Sequence, residues 1–146
     1  MTFSSILVPV DFSSHSKAAL LLALGLVKKF DAKLHLVHVY PESMALLPPY
    51  GPALPADFGM QMERSAVEYF QEWQEKFCPK ELSVHSVVRR GDPATQIVEV
   101  ASDIESDLIV MGTRGTTGLA HLLLGSVAER TVRLAPCPVL TTKVLA

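Results

Sequence analysis

Leu108-Ile109-Val110-Met111 is a run of large apolar side chains with no polar alternation. A strand with one wet face would alternate, so this run reads as a parallel strand buried on both sides. Parallel strands cannot be joined by tight hairpins, and a chain that contains one must send crossover segments over the sheet. The remainder of the chain has the matching rhythm. Ser5 to Val10 is a β-rich run, and Ser13 can cap a helix that continues to about Phe30. Lys33 to Tyr40 is a second strand, stopped by Pro41. Phe58, Met62, Ala66, Tyr69 or Phe70, Trp73 and Phe77 follow a helical period, with Trp73 expected in the core. Leu82 to Arg89 is a third strand, and Asp92 and Pro93 open a helix as cap and first residue. A helix from Ser126 to about Leu134 and a last strand from Val139 to Val144 complete the series. Pro138 cannot donate to a ladder, which places that strand at an edge. Strand and helix alternate throughout, so the fold class is α/β, with a parallel sheet covered by helices on both faces.

With 146 residues, 49% hydrophobic and 19% charged, the chain is expected to form one domain over residues 1–146 with a real core. The net charge of −2 argues against a general nucleic-acid or anionic-membrane surface. No Lys or Arg precedes Lys17, so the charged start of a signal peptide is missing, and Ala18 to Val27 is too short to span a bilayer. The expected location is the cytosol, with no membrane and no nucleic acid as partner. Cys78 and Cys137 lack metal-ligand spacing and read as buried or half-buried free thiols. His35 and His38 fall on opposite faces of their strand and cannot form a ligand pair. Arg90-Gly91-Asp92 reads as a turn plus a cap. Residues 41–56 carry five of the ten prolines and form a long apolar loop, either a lid or a surface excursion.

The chemistry concentrates where the buried run ends. Gly112-Thr113-Arg114-Gly115 follows it, and after nine residues comes Gly125-Ser126-Val127-Ala128-Glu129-Arg130. Gly112 and Gly115 permit a tight turn with main-chain N–H groups uncovered. Ser126 with Glu129 three residues later has the form of a capping box. Amides gathered at the positive end of a helix dipole favour a phosphate. The same strand, loop and capped helix also occur as plain connections. Gly112, Gly115 and Gly118 do not fit the dinucleotide fingerprint, and no lysine followed by Ser or Thr makes a P-loop. Asp11 stands at the carboxyl end of the first strand, where open α/β sheets bind ligands, although it could equally serve the helix cap beside it. Parallel strands share one carboxyl edge, so Asp11, Val39 and Gly112 should cluster there.

These residues resemble the universal stress protein family over essentially the whole chain. Gly112-x2-Gly115-x9-Gly125-Ser126 is similar to the motif of its ATP-binding branch. Ile6-Leu7-Val8-Pro9-Val10-Asp11, Gly91-Asp92-Pro93, Asp107 to Gly112 and Pro136-Cys137-Pro138-Val139 support the match. The resemblance implies a single doubly wound five-stranded parallel sheet of order 3-2-1-4-5, with a ligand at the switch point between strands one and four. It implies that Pro9, Val10 and Val39 line an adenine and that Asp11 faces the ribose or a Mg²⁺ ion. Met111 and Gly112 would sit beside the nucleoside, with Arg114, Gly115, Gly125, Ser126 and Val127 on the phosphates of ATP, Gly115 and Gly125 by leaving their N–H groups uncovered. Val10 stands where many relatives carry a small hydroxyl residue. Three functions follow from these readings. The first is an ATP-binding stress-response regulator, acting through nucleotide-dependent conformation, a homodimer formed by the C-terminal strand and an unknown regulatory protein partner. The second is a slow Mg²⁺-dependent ATPase. The third is a nucleotide-free dimeric interaction module.

Overall fold

The computed structural model describes residues 1–41, 55–114 and 124–144. In chain order the elements are β1 (Ser5–Pro9), α1 (Ser14–Phe30), β2 (Lys33–Tyr40), α2 (Phe58–Phe77) and β3 (Val84–Arg90). They are followed by α3 (Pro93–Asp103), β4 (Leu108–Gly112), α4 (Ser126–Leu134) and β5 (Val139–Thr142). All strand pairs are parallel and the five-stranded order is β3-β2-β1-β4-β5, the doubly wound arrangement that the resemblance implied.

The central strands are apolar because both of their faces are covered. Ile6 and Val8 of β1 join Leu34, Leu36, Leu108 and Val110 in a core against α1 and α2, where Leu20, Ala23 and Phe70 meet them. Leu7, Val37, Ile109 and Met111 point the other way, into a second core with Ile97, Val100 and Ala101 of α3 and Ala128 of α4. Each fully buried Leu or Ile removes enough apolar surface to contribute roughly 1.5–3 kcal/mol. The edge strands β3 and β5 are only partly covered.

Local chemistry sets most boundaries. Ser13 caps α1 by accepting the Ser16 N–H at 3.3 Å. Asp92 caps α3 by accepting the Thr95 N–H at 3.0 Å, with Pro93 in the first turn. Asp107 fastens the opposite end of the sheet, where its carboxylate accepts the N–H groups of Ser4 and Ser5 and so joins the start of β4 to β1. Three expected boundaries shift. β3 begins at Val84 because the Leu82 N–H closes a turn on Pro79 O. β1 ends at Pro9, and β5 ends at Thr142 rather than Val144. Of the adjacent pair on α2, Phe70 enters the core and Tyr69 remains 51% exposed.

Candidate functional site

β1 and β4 part company at the carboxyl edge. Their pairing consists of Ile6 with Leu108 and Leu7 with Ile109. Beyond that point each strand keeps to its outer neighbour. The Val10 N–H reaches Val37 O on β2 at 2.8 Å, and the Thr113 N–H reaches Thr142 O on β5 at 2.9 Å. Pro9 explains where the inner ladder stops. Main-chain groups alternate in direction along a strand, and those of Val10 face β2, so the Pro9 nitrogen faces β4 with no hydrogen to donate. The result is an opening at the switch point of the sheet, the position where doubly wound folds bind ligands.

The side chain of Val10 is buried beneath α1 and α2, and its carbonyl accepts a hydrogen bond from His38 Nδ1 at 2.8 Å. Because that carbonyl can only accept, Nδ1 carries the proton. Asp11 follows at the mouth of the opening. Its Oδ1 accepts the Ser13 N–H at 3.0 Å and the Ser16 hydroxyl at 2.9 Å. The carboxylate therefore belongs to the capping network of α1, as one of the two sequence readings required, and this bonding holds it at the strand end.

Two glycines are explained by packing. A Cβ on Gly112 would lie 2.9 Å from His15 Cβ and 3.0 Å from the His15 carbonyl, so the first turn of α1 lies directly against β4. A Cβ on Gly125 would lie 3.0 Å from Thr113 O. The Gly125 N–H also donates to that oxygen, which corrects the expectation that it is left uncovered. Gly125 is the N-cap of α4 and Ser126 its first helical residue, so Ser126 and Glu129 do not form a capping box. Glu129 instead pairs with Arg133 at 2.8 Å. The ladder of α4 begins with the Glu129 N–H on Gly125 O. The amides of Ser126, Val127 and Ala128 thus have no acceptor within the helix. They stand at the positive end of its dipole, bonded through Gly125 to the end of β4.

The structure brings Pro9, Val10, Asp11 and Val39 to the same sheet edge as Met111, Gly112, Arg114, Gly125, Ser126 and Val127. The side chains of Val39 and Val127 pack on the α3–α4 core together with Met111. Gly115 and the bulk of the 41–56 loop lie outside the described residues. Sequence reasoning missed four contributors: Phe12, His15, His38 and Thr113. The short polar run after β1 could have pointed to Phe12, the one large apolar residue in it. No local signal marks the other three, whose roles come from contacts across the fold.

Next to this edge, Arg130 Nη1 of α4 donates to Asp92 Oδ1 at 2.8 Å. Arg130 and the Thr95 hydroxyl and amide hold the Asp92 carboxyl down at about 2. On the other core surfaces, burial pushes the thiols of Cys78 and Cys137 upward, and both are free and half-buried. Among the described residues, no helix is long and apolar enough to cross a membrane.

Residues 2–143 match the model of the universal stress protein family. Over 147 aligned positions the chain is 37% identical to universal stress protein MJ0531 of Methanocaldococcus jannaschii, covering 97% of this chain and 82% of that one. It superposes on universal stress protein UspA from Lactobacillus plantarum with a TM-score of 0.78 at 26% identity, covering 97% and 98% of the two chains. A universal stress protein solved in complex with cAMP has the same fold, with a TM-score of 0.72 at 22% identity and coverage of 97% and 98%. The extent of the family match and the identity to MJ0531 lead to one conclusion: this chain belongs to the universal stress protein family.

Proposed function

We propose that this protein is an ATP-binding regulator that acts in the cytosol through nucleotide-dependent conformation and dimerisation. The observation that carries the reading is the opening between β1 and β4, set beside an α4 N-terminus whose first three amides have no acceptor in the helix. In this reading Ser126 and Val127 bind phosphate oxygens through their amides, and Ser126 adds its hydroxyl. Arg114 and Gly115 complete the phosphate side. Gly125 contributes by fixing the start of α4 against Thr113, since its own amide is committed. Pro9, Val39 and Met111 border the base from the α3 side of the sheet, and Val10, whose main-chain groups are taken by Val37 and His38, lies beside them. Asp11 faces the ribose or a Mg²⁺ ion. The fit is chemical: one carboxylate held at the mouth suits a hydroxyl pair or a hard cation, and amides at a helix start suit an anion. When bound, Mg²⁺ would neutralise phosphate charge. The cAMP complex of a protein with this fold supports a nucleotide as the class of ligand.

Dimerisation is assigned to β5, an edge strand flanked by the exposed side chains of Leu140 and Val144. A regulatory protein partner would read the occupied state, because a ligand shifts a conformation only by binding one state better. The test is mass identification of whatever small molecule stays with the purified protein, followed by calorimetric titration of the emptied protein with Mg-ATP. Saturable binding that weakens at least tenfold in Asp11→Asn supports the assignment. No bound nucleotide and no heat of binding at millimolar Mg-ATP would falsify it.

A further inference from the structure

Phe12 has a backbone conformation that ring-bearing residues rarely adopt. Its φ is 62°, in the left-handed region where Cβ crowds the main chain. Such a residue persists only where its surroundings over-determine it. Here the surroundings are four aromatic rings. His38 of β2 lies 4.9 Å from the Phe12 ring centroid, and Tyr69, Phe70 and Trp73 of α2 lie at 5.0, 5.4 and 5.3 Å. Phe70 and Trp73 meet it edge-on, and Tyr69 and His38 are tilted against it.

The backbone on either side of Phe12 is tied together by the carboxylate at the mouth of the opening. Asp11 Oδ1 reaches across Phe12 to the Ser13 N–H and takes the Ser16 hydroxyl, while the Asp11 N–H approaches Ser16 Oγ at 3.4 Å. Here that loop closes with Phe12 at positive φ, so the turn and the carboxylate are set together. We propose that Phe12 is a positioning residue: the aromatic clamp of α2 and His38 holds its left-handed turn, and the turn holds the Asp11 carboxylate at the switch point. The inference rests on the proposed nucleotide site for its effect on binding, and not for its effect on Asp11 itself. It makes the seating of α2 on the sheet a determinant of nucleotide affinity.

The experiment uses the full chain and two readouts. Side-chain carboxylate carbon and backbone amide NMR signals of Asp11, Ser13 and Ser16 are recorded without nucleotide, and Mg-ATP affinity is then measured by calorimetry. Phe12→Asn keeps tolerance of the left-handed turn and removes the ring. It should move the Asp11, Ser13 and Ser16 signals and weaken Mg-ATP at least tenfold, whereas Phe12→Tyr, which keeps the ring, stays within twofold of the parent on both readouts. Unmoved signals in Phe12→Asn overturn the positioning role whatever happens to ATP. Moved signals with unchanged affinity overturn the link to binding and leave the nucleotide site standing. A parent protein that does not bind Mg-ATP instead removes the proposed function, with the ligand-free signals still deciding whether Phe12 places Asp11. If Phe12→Asn does not fold, Tyr69→Ala opens the clamp from the exposed side of α2. It should give a smaller shift of the same signals, and their constancy overturns the proposal.

Discussion

Arg130 of α4 donates to the same Asp92 carboxylate that caps α3, so one side chain ties the middle of α4 to the N-terminus of α3. The pairing has a pH signature. The Asp92 carboxyl is held at about 2, below its ordinary 3.8, first by Arg130 and then by Thr95. A depressed carboxyl contributes stability above its unfolded value, and that contribution is lost as pH falls through the folded one. The stability advantage of the parent over Asp92→Asn should therefore be complete above about pH 4 and shrink towards zero near about pH 2. Asp92 is 46% exposed on its side chain, so solvent screening limits the pH-dependent part to about 1 kcal/mol or less. Urea unfolding of both proteins between these limits checks it. A difference that does not change with pH would show that the carboxylate charge is not the source.

Two glycines on the α1 side of the sheet should respond in opposite directions to the same added methyl. Gly112→Ala places a Cβ against the backbone of His15, which cannot rotate away, and should cost about 1–3 kcal/mol. Gly25 lies within α1 with nothing within 4 Å of a Cβ built on it. Gly25→Ala should therefore gain about 0.5–1 kcal/mol through helix propensity and a less disordered unfolded chain. Thermal and urea unfolding give both numbers. Destabilisation by Gly25→Ala or tolerance of Gly112→Ala would contradict the packing described.

That contrast also shows where sequence reasoning reached and where it stopped. Elements whose ends are set by neighbouring residues were legible: Ser13 and the Asp92-Pro93 pair announce their helices, and β2 is bounded at Pro41. The strand order followed from a family resemblance and not from residue spacing. What stayed hidden depends on partners distant in the chain. Gly112 looked like a residue needed for ligand approach, but His15 requires it. Gly125 looked like a source of a bare amide, but Thr113 takes that amide. Ser126 looked like a cap because its spacing to Glu129 is right, although the chain turns one residue earlier. Tyr69 and Phe70 are adjacent apolar rings, and only the seating of α2 decides which of them is buried.

Thr131 has no exposed surface, and its hydroxyl has no hydrogen-bond partner among the described residues. Valine has the same shape without the polar atom. Burying an unpaired hydroxyl is unfavourable, so Thr131→Val should stabilise the fold by about 1 kcal/mol. A raised urea midpoint with an unchanged slope is the expected result. A lowered midpoint would mean that the hydroxyl has a partner in solution, such as a buried water.

The dimer assignment can be tested by a substitution chosen from strand direction. Pro138 O and Thr142 O accept from Ile109 of β4 and from Thr113 just beyond it, so the even-numbered residues of β5 face inward. By alternation, the main-chain groups of Val139 and Thr141 face away from β4, towards whatever pairs with the edge. Thr141→Pro removes an outward N–H and leaves the inner ladder with its donors and acceptors. It should shift the protein from dimer to monomer in light scattering, with little change in the far-ultraviolet dichroism. Leu140→Lys, which charges an exposed side chain beside the same edge, should act in the same direction. If both variants keep the mass of the parent, β5 is not the interface. If the parent is itself a monomer at every concentration measured, regulation by nucleotide must be read on another surface of the chain.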